Sequence, residues 1–173
     1  YDHKYSRGVL GVITGSAQYP GAAVLSTRAA VATGIGMVRF YSSSGLAHLV
    51  LHESPEVVVQ PGAVTSWLAG SGIAEDRFDD YTTWLRHRWF KVIERQSVPT
   101  VLDAGALGLA GKLSQPTLIT PHAGELSRIL KRLGTNVSAD EISDYPIEWA
   151  SEVANQLDVT VLLKGSKSVV VNS

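Results

Sequence analysis

Cysteine is missing from all 173 residues. That excludes a disulfide framework and thiolate metal sites, and it fits a reducing, cytoplasmic compartment. Charge of one sign is missing too. The 15 basic and 16 acidic side chains leave a net charge of −1, so no global field favours nucleic acid. No apolar run approaches the ~20 residues that a membrane helix needs. No Gly-Lys-Ser/Thr follows the first glycine loop, which rules out a P-loop there. Internal repeats, low-complexity segments and linkers are also absent. No signal peptide is visible, and Tyr1 is not a natural start, so targeting is not readable from this end. Asn136-Val137-Ser138 matches a glycosylation sequon and carries little weight without a secretory signal.

What is present is a chain that is 45% hydrophobic, enough to bury a core in one domain spanning residues 1–173. Val9 to Thr14 is a short apolar run ending in Gly15-Ser16, and reads as a buried strand. The small residues from Gly21 to Thr33 predict a helix packed closely on a sheet, stopped by Gly34-Ile35-Gly36. Strands are expected at Met37 to Tyr41, Glu56 to Gln60 and Ser66 to Ala69, with a short helix over Leu46 to His52. Tyr81, Trp84, Leu85, Trp89, Val92 and Ile93 recur at helical spacing with Arg86, His87 and Lys91 between them, an amphipathic helix. Strands follow at Thr100 to Leu102 and Thr117 to Thr120. Two further helices carry Leu126, Ile129, Leu130 and Leu133, then Ile147, Ala150, Val153, Ala154 and Leu157. Ser138-Ala139-Asp140-Glu141 has the pattern of a capping box. Strands at Thr160 to Leu163 and Val169 to Val171 close the chain.

Strands alternating with helices imply an α/β fold: a mostly parallel central sheet with helices on both faces, a three-layer sandwich. Such sheets bind ligands beyond the carboxyl ends of their strands. Gly15-Ser16, Gly70-Ser71-Gly72, Asp103, His122 and Lys164 all fall there. Each also has a plain structural reading. The loop from Gly15 to Ala23 suits an anion at a helix N-terminus, or equally a tight turn. Gly70-Ser71-Gly72 lets a ligand approach backbone, or is a turn. Asp103 suits a helix N-cap, and alone that reading outweighs a ligand-orienting one. His122 and Glu125 are three apart with no third ligand in view, which argues against a metal; Glu125 suits a helix first turn. Lys164 offers a point charge to phosphate, or is a strand-end lysine reaching for water. Ser166 and Ser168 add hydroxyls to its turn.

In order, His3-Lys4-Tyr5-Ser6-Arg7-Gly8, Thr14-Gly15-Ser16, Tyr19-Pro20-Gly21-Ala22-Ala23, Leu102-Asp103-Ala104-Gly105-Ala106-Leu107, Thr120-Pro121-His122-Ala123-Gly124-Glu125 and Leu163-Lys164-Gly165 resemble the ADP/ATP-dependent NAD(P)H-hydrate dehydratases. The resemblance implies a ribokinase-like fold, present here as its larger N-terminal part and incomplete at the C-terminus. It also implies a repair reaction, in which hydrated NADH or NADPH loses water as ADP or ATP, with Mg2+, is consumed. By the same resemblance Ala22, Gly72 and His122 line the hydrated-nicotinamide site. Lys164, Gly165, Ser166, Lys167 and Ser168 contact the adenine nucleotide, with no metal ligand in the protein. Gly70-Ser71-Gly72 stands where the family has Gly-Pro-Gly, and His122 to Glu125 where it has His-Pro-Gly-Glu. The family's Gly-Thr-Gly-Asp segment, with its anion hole and catalytic aspartate, is expected beyond Ser173. The 173-residue chain alone is therefore expected to be inactive. Family members commonly self-associate, so a homo-oligomer without nucleic-acid or membrane partners is expected. Two other readings stay open: a small-molecule kinase of the same fold, and a non-catalytic nucleotide-binding domain.

Overall fold

Short β-branched runs separated by helix-forming stretches give an open α/β sheet. A computed structural model describes residues 6–75 and 81–173; His3, Lys4 and Tyr5 of the first resembling segment lie outside them. The strands are β1 (Val9–Ile13), β2 (Met37–Phe40), β3 (Ser66–Ala69), β4 (Thr100–Leu102), β5 (Thr117–Ile119), β6 (Thr160–Leu163) and β7 (Val169–Val171). The helices are α1 (Pro20–Ala32), α2 (Ser44–Glu53), α3 (Tyr81–Arg95), α4 (Ala123–Arg132), α5 (Ala139–Asp144) and α6 (Pro146–Leu157). A 3₁₀ segment, Ala104–Leu109, follows β4. The sheet order is β2-β1-β3-β4-β5-β6-β7. Every pairing is parallel except β6–β7, which form an antiparallel hairpin.

Alternation along β1 sorts the core. Val9 and Ile13 join the cluster built with Trp67, Leu102, Ile119 and Val161, which α3, α4 and α6 cover through Ile93, Leu126 and Val153. Val12, between them, faces the other way and packs with Ala23 of α1 and Leu46 and Val50 of α2. The helices therefore lie on both faces, but not evenly. Over β1 and β2 the sheet is covered by α1 and α2, while the same face of β3 to β6 keeps Leu68, Val101, Leu118 and Leu162 half-buried, and Val170 of β7 is 66% exposed.

The expected strand over Glu56 to Gln60 is not formed. Only a single bridge, Arg39 with Val58, extends the sheet there, since Pro55 precedes the run and Pro61-Gly62 ends it. The Ser138 cap is present as half of the expected box: its side chain accepts from Glu141 N at 3.1 Å. α1 ends as read, with Thr33 at the C-cap and Gly34 left-handed.

Candidate functional site

The carboxyl edge of the sheet gathers the residues singled out above. After β1 the chain turns at Gly15, whose N–H donates to Ser71 O at 2.8 Å, and Pro20 opens α1. After β3, Gly72 sits at φ +72, and a Cβ there would lie 2.4 Å from Ala22 Cβ and 3.1 Å from Tyr19 O. Ala22 and Gly72 therefore touch, and the smallness of both residues is what lets the β1 and β3 loops close on each other.

His122 ends the β5 loop and caps α4. Its Nδ1 accepts from Gly124 N at 3.1 Å and Glu125 N at 3.4 Å, while Glu125 Oε2 accepts from His122 N at 2.9 Å. This is a reciprocal capping box, with histidine in the place usually held by serine or threonine. Two bonds accepted at Nδ1 leave the ring proton on Nε2, and the side chain is 56% exposed at the edge. His122 also bridges in parallel to Lys164, whose N–H donates to Pro121 O at 2.8 Å. Of the expected substrate residues, His122 thus meets the expected nucleotide turn through the backbone of its own loop.

Asp103 stands between them. It occupies the N-cap position of the 3₁₀ segment, yet its side chain makes no cap bond. The N-cap reading is thereby corrected. Its carboxylate reaches out to three other loops: Ser71 Oγ donates to Oδ2 at 2.8 Å, Thr120 Oγ1 donates to Oδ1 at 3.0 Å, and Lys164 Nζ meets Oδ1 at 2.7 Å. Burial by itself would raise the Asp103 carboxyl. The bonds from Lys164 and Ser71, the lysine charge and the Thr120 bond together outweigh it and hold the group below the ordinary aspartate range. The lysine's side chain is thus tied to a carboxylate here, at 43% exposure against 21% for Asp103.

Beyond Lys164, all of Gly165, Ser166, Lys167 and Ser168 are exposed. Lys164 to Lys167 line a cleft of about 240 Å³ whose opposite wall is Ser143, Asp144 and Pro146 at the α5–α6 junction. An exposed hairpin with two lysines and two hydroxyls can hold phosphate groups. Among the described residues there is no group of three or more His, Cys, Asp or Glu able to hold a metal ion, and Asp103 is occupied by Lys164. The side chains described do not form an Mg2+ site.

Arg86 is the residue that the sequence reading missed. Placed there among the polar residues of its helix, it is 2% exposed. Its Nε donates to Gly15 O at 2.9 Å, NH1 to Tyr41 O at 2.5 Å and NH2 to Thr14 O at 2.6 Å, and the guanidinium lies 5.7 Å from the Phe40 ring centre. Burial lowers its pKa to about 10, which still leaves it charged at neutral pH. The signal was present: Arg86, Phe90 and Ile93 recur at i, i+4 and i+7, and all three are buried. Arg86 fixes the carbonyls just beyond β1 and β2, and so shapes the loop that leads into α1 and Ala22.

The sequence profile of the NAD(P)H-hydrate dehydratase family matches residues 10–173. The bifunctional NAD(P)H-hydrate repair enzyme Nnr of Mycobacterium tuberculosis is 36% identical over 98% of this chain, which spans 35% of that protein. The ADP-dependent (S)-NAD(P)H-hydrate dehydratase of Bacillus subtilis is 29% identical over 97% of the chain, which spans 62% of it. Among solved structures, the Bacillus subtilis ADP/ATP-dependent NAD(P)H-hydrate dehydratase co-crystallised with ATP/Mg2+ superposes with a TM-score of 0.78 at 25% identity, with 99% of this chain matching 62% of that one. A ribokinase-like superfamily protein from Enterococcus faecalis superposes at 0.80 with 19% identity over 99% of this chain and 62% of its own, which establishes the ribokinase-like fold. The chain therefore spans under two thirds of the length of these relatives. Fold, ordered motifs and profile agree, and the chain belongs to the NAD(P)H-hydrate dehydratase family.

Proposed function

We propose that this chain supplies the substrate wall and the nucleotide turn of an ADP- or ATP-dependent NAD(P)H-hydrate dehydratase, as the larger N-terminal part of a single ribokinase-like domain over residues 1–173. The observation that supports the reading is the backbone bridge between His122 and Lys164, which joins the loop proposed for the hydrated nicotinamide to the turn proposed for phosphate. Ala22 and Gly72 close the wall on the other side. His122 presents Nε2–H to the substrate, with its orientation fixed by the capping box.

The chemistry follows from the leaving group. Hydroxide leaves poorly, so the substrate hydroxyl oxygen attacks the terminal phosphorus of ADP or ATP. The bond to the shortened nucleotide breaks, and a phosphate ester forms at the ring carbon. The ring C–O bond then breaks as the neighbouring carbon loses a proton, which restores the double bond of NADH or NADPH and releases phosphate. Lys164 and the hydroxyls of Ser166 and Ser168 hold phosphate oxygens, with Gly165 and Lys167 completing the turn. Magnesium would be held by the phosphates of the nucleotide at the Lys164 turn and would supply charge neutralisation there. Net charge −1 and the lack of cysteine support a cytoplasmic enzyme without a nucleic-acid partner, and we include self-association in the reading. No helix among the described residues is long and apolar enough to cross a membrane.

Equilibrium dialysis of the 173-residue chain tests this directly. Hydrated NADH and ADP are each expected to bind, His122→Ala to weaken the first and Lys164→Met the second. Failure of both ligands to bind overturns the proposal. Recovery of NADH absorbance from hydrated NADH, in the longest natural form of the protein with ADP or ATP, tests the reaction itself.

A further inference from the structure

Asp103 stands at an N-cap position and does not cap. Its backbone is fixed on both sides: its N–H donates to Ala69 O at 2.9 Å, and its carbonyl accepts from Ala106 N at 3.0 Å. Ala104, the next residue, is a non-glycine at φ +42, in the left-handed region that alanine disfavours. Two glycines make room for this bend. A Cβ on Gly70 would lie 1.7 Å from Asp103 O, and one on Gly105 would lie 2.4 Å from Ile73 O. Strain of this kind persists only where the surrounding structure fixes it, and it gathers at functional sites.

What the bend delivers is the carboxylate. Ser71 holds Oδ2, while Thr120 and Lys164 share Oδ1, so its plane is set from three loops. Lys164 is the unusual partner. β5 lies between β4 and β6, which puts the two loops about 10 Å apart, two strand spacings. An ordinary strand-end lysine extends into water. This one runs back across the β5 loop to meet Asp103 at 2.7 Å. Its other end is held by the bond from its main-chain N–H to Pro121 O. The ammonium makes no other bond among the described residues, so two of its three N–H donors stay free. The side chain is still 43% exposed and lines the cleft with Ser166 and Lys167, which leaves those donors open to a ligand.

A lysine ordered before its ligand arrives loses less freedom on binding. We infer that Asp103 is a positioning residue for phosphate: it fixes the Lys164 ammonium at the carboxyl edge and leaves two N–H donors for a phosphate group at the Lys164 turn. Charge acts the other way. A carboxylate this close to the ammonium also repels phosphate, so a simple counter-ion would weaken binding and its removal would strengthen it. The two roles differ in sign. A counter-ion needs neither a fixed carboxylate plane nor a strained backbone behind it, and Asp103 has both. The inference rests on the nucleotide-turn reading above.

Equilibrium dialysis with ADP reads the sign, using the parent chain, Asp103→Asn, Lys164→Met and the double variant. Asparagine keeps the size of the side chain and loses its charge. Asp103→Asn is expected to weaken ADP about fivefold, the cost of ordering one long side chain on binding, although it removes a negative charge. In the Lys164→Met background the same change is expected to leave ADP binding unweakened, since no ammonium remains to be positioned. A spectroscopic signature accompanies this. In a proton–nitrogen spectrum of the side-chain ammonium groups, without ADP, the Lys164 signal is identified by its loss in Lys164→Met. It is expected to stand apart from the freely rotating lysines in the parent and to merge with them in Asp103→Asn. Unchanged or tighter ADP binding in Asp103→Asn overturns the positioning role and leaves the nucleotide turn intact. So does an equal weakening in both backgrounds, or a Lys164 signal that lies among the others in the parent. If ADP does not bind the parent chain, the inference and the nucleotide turn fall together.

Discussion

Two charged side chains hold the carboxyl edge together, and they do it in opposite ways. Arg86 is buried and spends three N–H donors on main-chain carbonyls just beyond β1 and β2. Asp103 is part-exposed and is held wholly by side chains from β3, β5 and β6 loops. A guanidinium locked to carbonyls acts as part of the backbone: its removal strands three buried acceptors. A carboxylate tied to hydroxyls and an exposed ammonium is an adjustable contact, screened by water and open to exchange for a ligand. The first arrangement shapes the loop that leads into α1 and Ala22, and the second sits between the proposed substrate wall and nucleotide turn.

The sharpest way to break this contrast is Arg86→Met. It leaves the carbonyls of Thr14, Gly15 and Tyr41 without their donor, and we expect a loss of roughly 3–5 kcal/mol in urea unfolding. A loss below ~1 kcal/mol would erase the distinction. Next comes an assault on the Asp103 side through its backbone. Gly70 lies at φ +110, and a Cβ there would sit 1.7 Å from Asp103 O, so Gly70→Ala should cost roughly 2–3 kcal/mol, read from the same unfolding midpoints.

Asp103→Asn should cost less, about 1 kcal/mol near neutral pH after allowance for solvent screening. Its pH dependence has a definite sign. The folded carboxyl titrates below its unfolded value, so its contribution is complete above the ordinary aspartate range and vanishes as pH falls through the folded value. The gap between wild type and Asp103→Asn should therefore close on acidification; a gap that widens would sink the ion-pair account. Smallest in stability is Lys164→Met, expected below about 0.5 kcal/mol because the ammonium is part-exposed. The same change should weaken ADP about tenfold by dialysis, which would separate binding from stability at this residue.

Most of the fold was legible because its signals are local. Ser66 to Ala69 and Thr100 to Leu102 are strands with the bounds read from the sequence, and α3 begins at Tyr81 as its periodicity implied. Glu56 to Gln60 misled because a β-branched run was counted without its flanking prolines. At the site, ordered motifs brought Ala22, Gly72, His122 and Lys164 to one edge. The partners of Asp103 were hidden, since Ser71, Thr120 and Lys164 lie 32, 17 and 61 residues away. Arg86 was hidden for another reason: a charged residue on an apolar stripe reads as an exception until the carbonyls that satisfy it are seen.

The sequence by itself determined the alternation of strands and helices, the parallel sheet, and the family through motifs spaced along the chain. Those properties follow from nearest-neighbour preferences and side-chain periodicity. Only the tertiary structure decided which half of the sheet is covered on both faces, that Asp103 binds sideways across three loops instead of capping, and that Arg86 is a buried strut. Those outcomes depend on hydrogen bonds between residues far apart in the chain, whose pairing is set by how the strands order in the sheet.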